Sequence, residues 1–291
     1  MAYYVDFILN VAGLLLWLNW RSIQFDPLTR RTPATLMGTL RPASPKKLRP
    51  WHLLIFIILL LVVRAAIYWW IGSATNWTAK LDLGAVVLPF RSDWFWHILV
   101  YSFCSFGLAL GIFYLCLLPL SLLAGPEPMH RLVKIPLGQV DDWPRWAKAI
   151  LPLVVTGIVW WVVSWLFCGL RIMPPPIAPA HRIEQSIVLG LDSYLIWRFP
   201  LGGLLLLHLL NSYIYFGKHP FWKYVNETSQ KLLLPLQQLP LRLGRMDFAP
   251  LVGIIILFIF ANVAENGLTI HLGTIRLHLP GLVEIYGKLP I

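Results

Sequence analysis

Trp51-His-Leu-Leu-Ile-Phe-Ile-Ile-Leu-Leu-Leu-Val-Val-Arg64-Ala-Ala-Ile-Tyr-Trp-Trp-Ile71 runs for 21 residues with a single full charge. A bilayer core of about 30 Å is crossed by about 20 mostly apolar helical residues. This stretch therefore reads as a membrane span. The rest of the chain agrees with it. Of 291 residues, 58% are hydrophobic and only 13% charged, with a mean hydropathy of +0.68. Soluble domains run about 45–50% apolar and about 25% charged. Water-soluble enzymes, nucleic-acid modules and disordered tails are excluded on that ground.

Five further runs predict spans: Tyr4 to Trp20, Trp94 to Leu123, Trp146 to Cys168, Ile187 to Phe216, and Pro250 to Val263. The expected fold class is all-α: a polytopic integral membrane protein of about six transmembrane helices. The N-terminal run has no positive n-region and no small-residue cleavage site, so it is expected to stay as a helix.

The net charge of +11 orients these spans. Lys and Arg concentrate in cytoplasmic loops. The segments 21–50, 124–148 and 217–249 hold 16 of the 24 basic residues; the alternate segments hold six; Arg64 and Arg198 fall inside spans. This split predicts cytoplasmic basic loops, extracytoplasmic termini and residence in the cell (inner) membrane. The charge thus calls for no nucleic acid, and its expected partners are anionic lipid headgroups. Trp17, Trp20, Trp51, Trp143 and Trp146 cluster at the inner ends. Trp69, Trp70, Trp94 and Trp96 cluster at the outer ends, as an interfacial belt predicts.

Each basic loop joins two spans, so the chain reads as three like-oriented helical hairpins: 1–93, 94–185 and 186–265, followed by a tail, 266–291. The second and third hairpins share an order of residues. Arg131-Leu-Val-Lys-Ile-Pro136 parallels Lys231-Leu-Leu-Leu-Pro235, and each leads through an Asp (Asp142; Asp247) to a Pro-Leu-Val (Pro152; Pro250). The interval between prolines is 16 residues in one and 15 in the other. Within the third loop, Pro220 opens a stretch in which Phe221, Tyr224, Val225, Leu232 and Leu236 share a face. It reads as an amphipathic helix, either on the inner membrane surface or packed on other helices.

The third hairpin carries His208-Leu-Leu-Asn-Ser212-Tyr213, then Ser229-Gln-Lys-Leu-Leu-Leu-Pro235, then Leu-Gln-Gln-Leu-Pro240, then Asp247-Phe-Ala-Pro250. In order and spacing this resembles the YggT family of small bacterial and plastid membrane proteins over about residues 193–263, and faintly over about 95–165. Ser212, Pro235, Pro240, Asp247 and Pro250 match the family pattern. His208 stands in place of Arg, Tyr213 of Trp, Lys231 of Pro, Gln237 and Gln238 of a basic pair, and Ala249 of Ser. The resemblance implies an assembly or accessory role in a larger membrane complex and identifies no reaction.

Individual residues carry narrower expectations. Arg64 sits at membrane depth, where charge is costly; it either snorkels toward Trp70 or meets a buried partner. Arg198 is deeper in its span, beside Pro200, Gly202 and Gly203, which point to a kink or close helix contact. A partner carboxylate within the spans is expected to be missing, with Asp6 and Glu265 the nearest acids. His208 reads as a hydrogen-bonding residue, with cofactor binding as its alternative, so no cofactor and no metal are expected. Asp247 precedes a helix start and is placed to cap it. Cys104, Cys116 and Cys168 lie in apolar runs and read as buried hydrophobes. Asn76-Trp-Thr78 matches a glycosylation acceptor. Met173-Pro-Pro-Pro-Ile-Ala-Pro179 reads as a stiff link. Leu268 to Leu279 alternates about Gly273 and predicts a small β-hairpin.

No nucleophile–base pair, metal cluster or phosphate loop stands out, so a non-catalytic membrane protein, an assembly factor or accessory subunit bound to other membrane proteins, leads. A small-solute transporter or channel is the alternative, and a haem-handling cytochrome-assembly protein through His208 a further one.

Overall fold

A computed structural model describes residues 2–25, 50–75, 77–123, 130–174, 178–214, 219–236, 241–243, 246–272 and 275–289. Most of the first basic loop, Asn76, the prolines 175–176, Pro240 and Gly273 lie outside the described residues.

The apolar runs become helices: α1 (Ala2–Phe25), α2 (Pro50–Thr75), α3 (Phe95–Leu122), α5 (Arg145–Gly169), α6 (Pro179–Asp192), α7 (Arg198–Tyr213) and α9 (Ala249–Asn266). Between them lie α4 (His130–Leu137) and α8 (Pro220–Leu233), and near the end α10 (Leu282–Lys288). The short strands β1 (Ala79–Asp82), β2 (Val87–Phe90), β3 (Arg242–Leu243), β4 (Met246–Asp247), β5 (Gly267–Leu272) and β6 (Ile275–Pro280) complete the order. Among the described residues, five helical stretches are long and apolar enough to cross a membrane: Trp51–Gly72, Phe95–Leu122, Arg145–Gly169, Ala180–Tyr213 and Ala249–Asn266. Burial is inverted relative to a soluble protein. On α2, Ile55, Phe56, Ile58, Leu59, Val62 and Val63 are exposed while Arg64 is buried. Apolar surface of that extent marks contact with lipid or protein rather than water.

The boundaries correct the sequence reading in two places. The run expected to start near Ile187 begins at Pro179, because Pro at the first helical position is pre-set for helix. It also does not continue as one α-helix: Ser193–Trp197 winds as 3-10 between α6 and α7. The final span extends to Asn266, three residues past its apolar run, and stops at Gly267, whose φ of 79° and ψ of 179° form a conformation open essentially to glycine alone.

The chain divides into two compact units, residues 1–81, 90–111 and 134–138, and residues 82–89, 112–133 and 139–291. In the first, α1 packs along α2, and Ile57, Leu61 and Phe106 form a core with Leu16, Trp17, Leu54 and Leu60 around it. In the second, α5 packs on α6 and α7 on α9 and α8. Gly190 makes the first of these pairs close, because a methyl there would stand 2.8 Å from the Leu153 carbonyl oxygen.

α8 is the expected amphipathic helix, and its apolar face is packed inward. Tyr224 and Val225 join Leu204, Leu207, Leu120 and Phe221 in one cluster, and Leu233 joins Leu205 and Ala249 in another. The tail forms the expected hairpin, β5 paired antiparallel with β6 from Gly267↔Pro280 to Leu272↔Ile275. At its base Gly281 has no room for a side chain against the backbone of Gly267 and Asn266.

Candidate functional site

Polar groups inside an apolar bundle are costly to leave unpaired. Three clusters arise, one in the first unit and two in the second.

Arg64, just past the middle of α2, is fully buried. It donates to Asp6 Oδ1 at 2.7 Å and to Asn10 Oδ1 at 2.8 Å, both on α1. Asp6 also accepts from Tyr68 at 2.8 Å and Tyr101 at 2.7 Å. Asn10 in turn donates to Ser105 on α3 at 3.1 Å. The tyrosine rings each lie 5.6 Å from the guanidinium carbon. Snorkelling is therefore corrected. The helical period turns Arg64 toward α1, and a carboxylate in a low dielectric holds it there.

Arg198 donates to Glu265 at 2.6 Å. So both intramembrane arginines pair with acids, and those acids are Asp6 and Glu265. This pair is looser: the two side chains are 22% and 25% exposed, against 0% and 13% for Arg64 and Asp6. The expectation that a partner carboxylate within the spans is missing is also corrected, because Glu265 lies inside the stretch Ala249–Asn266; a further carboxylate, Asp192, lies inside Ala180–Tyr213 and is buried. It accepts the backbone N–H of Ala85 and feels Glu265, Arg198 and Asp82. Gly84, at a φ of 83°, brings that turn against it; an added methyl would strike the Asp192 carboxylate. Asp192 and Arg198 thus flank the 3-10 segment on either side.

The third cluster includes Lys148, which the charge count places with the second basic loop. Lys148 and Asp141 are buried, not exposed. Lys148 donates to Ser121 Oγ at 2.8 Å, and Ser121 donates to Asp141 Oδ1 at 2.6 Å; the charges themselves are 3.4 Å apart. The serine hydroxyl hands its hydrogen to the carboxylate, and the lysine is held as that carboxylate's ion-pair partner. This arrangement ties the end of α3 to the start of α5.

The remaining expected residues fall as follows. His208 Nδ1 lies 2.9 Å from Asn226 Oδ1 on α8, which also accepts from Asn211 at 3.1 Å. Asp247 Oδ1 accepts the N–H of Ala249 at 2.9 Å, two residues on rather than three, because α9 starts at Ala249. Pro250 is buried in the first turn; Ser212 and Pro235 are exposed. Among the described residues, no group of three or more His, Cys, Asp or Glu stands close enough to hold a metal ion. Asp192 was legible as an acid within an apolar run. The Ser121–Asp141–Lys148 chain carried no sequence signal, since its members are ordinary at their positions.

No family model matches the chain, and neither a curated protein nor a solved structure does.

Proposed function

We propose that this protein is a non-catalytic scaffold of the cell membrane, an accessory or assembly subunit that binds other membrane proteins. The observation that carries the reading is how the buried and half-buried charges are paired. Arg64, Asp6, Lys148, Asp141, Arg198 and Glu265 each bond another segment of the same chain. Such pairs fix helix positions and leave the lipid-facing apolar surface for partners. In the proposed topology α1 and the five longer apolar stretches form three hairpins, with basic loops cytoplasmic. Two contacts support it: Arg21 to the Pro136 carbonyl at 3.2 Å, and Lys231 to the Leu123 carbonyl at 3.3 Å. The first joins two basic segments, and the second joins a basic segment to the end of the third span. The order of Ser212, Pro235, Pro240, Asp247 and Pro250 supports a YggT-like third hairpin.

The test is purification of the tagged chain from its native membrane in mild detergent, followed by native mass spectrometry. A stoichiometric second protein is expected. A chain of 33.3 kDa flying alone, or only with copies of itself, overturns the reading.

A transporter or channel is the second reading, favoured by the 3-10 interruption between two charged groups in an apolar passage. Flux of small solutes into proteoliposomes above that into empty vesicles would establish it.

A further inference from the structure

The helix α6 lies in an apolar passage, yet one of its faces is polar. Arg182, Gln185, Leu189 and Asp192 follow at spacings of three, four and three, so they share one side of the helix. Gln185 is 1% exposed, and neither its amide nitrogen nor its amide oxygen has a hydrogen-bond partner among the described residues. Arg182 Nε is buried without a partner in the same way, with its guanidinium carbon 4.1 Å from the centre of the Trp165 ring. At the other end of the face stand Asp192, held by the Ala85 N–H, and then the Arg198–Glu265 pair.

A side-chain amide offers two donors and an acceptor with two lone pairs. Burying it with none of them used costs about 2–7 kcal/mol. Leucine at 185 would fill similar volume without that cost. The buried groups of native proteins that find no protein partner are met by internal water, which makes about three hydrogen bonds apiece. The glutamine is also not alone: a guanidinium lies one turn before it and a carboxylate two turns after it on the same face. These supply the several polar partners that bound water needs.

We infer that this face of α6 is a hydrated track, in which water bonds the Gln185 amide and connects it with Arg182 on one side and with Asp192 and Arg198–Glu265 on the other. The track belongs to the second unit alone and goes beyond the scaffold reading, which stands or falls on what co-purifies.

Water-edited solid-state NMR of the isotopically labelled full chain in liposomes tests it. The Gln185 side-chain amide is assigned through its correlation to the backbone of Ser186 and confirmed by its loss in Gln185→Leu. The measurement itself is on the wild-type chain. Magnetisation should pass from water to the Gln185 amide about as fast as to Gln230, which is exposed on α8. The signal should also vanish on transfer to heavy water on the timescale of the Gln230 signal. Absence of transfer from water overturns the inference. So does transfer without exchange into heavy water, because that describes an isolated molecule rather than a track.

Discussion

Two arginines lie inside apolar helices of this protein, and their surroundings differ. Arg64 is set in the middle of an unbroken helix; its two terminal nitrogens each bond α1, and the carboxylate it meets accepts two tyrosines as well. Arg198 begins a helix just after a 3-10 segment, bonds one carboxylate, and keeps a fifth of its side chain exposed. The first arrangement is a fastening: every added bond narrows the geometry. The second combines charge, interrupted backbone and residual access, the combination found where helical membrane proteins bind polar species or bend. The same residue type serves two ends, and its surroundings decide which.

The difference has measurable sizes. Asp6→Ala strands a fully buried guanidinium, and losing one partner of a buried pair costs about 3–5 kcal/mol. Thermal unfolding in detergent should show the largest drop of any single change considered, and Asp6→Ala combined with Arg64→Leu should recover part of it. A drop no larger than that of Glu265→Gln would erase the contrast. Gly190→Ala pushes a methyl onto the Leu153 carbonyl, where backbone rather than a side chain must give way, so overpacking should cost about 1–3 kcal/mol. Glu265→Gln should cost about 1 kcal/mol, because solvent screens a partly exposed pair. It should also raise amide hydrogen exchange at Ser193–Trp197 while leaving α2 unchanged. Asp247→Ala removes a cap at the start of α9, worth about 0.5–2 kcal/mol, and its exchange signature should stay within the first turn of that helix.

The smallest effect lies in the tail. Lys288, and then His278, hold the Glu284 carboxyl below the ordinary glutamate range. A carboxyl lowered in the folded state contributes stability above its unfolded value and loses it as pH falls through the folded one. The Glu284 side-chain carboxyl carbon in NMR should therefore titrate with its midpoint below about pH 4.3, the unperturbed glutamate value. A midpoint above that value would contradict the ion-pair geometry.

Much of the fold was legible because lipid imposes a length and a composition on each helix. Trp51 to Ile71 needs no partner to be read as a span, and the β5–β6 alternation needs none to be read as a hairpin. The pairing of Arg64 with Asp6 was not legible, because 58 residues separate them and nothing local says which face of α1 meets α2. For Lys148 the charge count pointed the wrong way: a lysine beside a span was counted with the loop, and burial came from Ser121 on another helix. Pro200 and the glycines after it point to a kink or a close helix contact; Gly202 makes the contact, closely facing Phe258 of α9. The interruption lies before them, at Ser193–Trp197, where no residue breaks a helix by itself.

The close approach of Gly267 and Gly281 has a consequence for how this chain tolerates change. The two ends of the hairpin meet backbone to backbone, so the path from α9 to α10 is closed before the strands begin. The strands form a detour that neither helix needs for its position. Lengthening both strands by two residues, which preserves the facing of every side chain, would leave α9 and α10 where they are. This is the place where related chains can diverge in length, and where an epitope can be inserted at least disturbance to the helices.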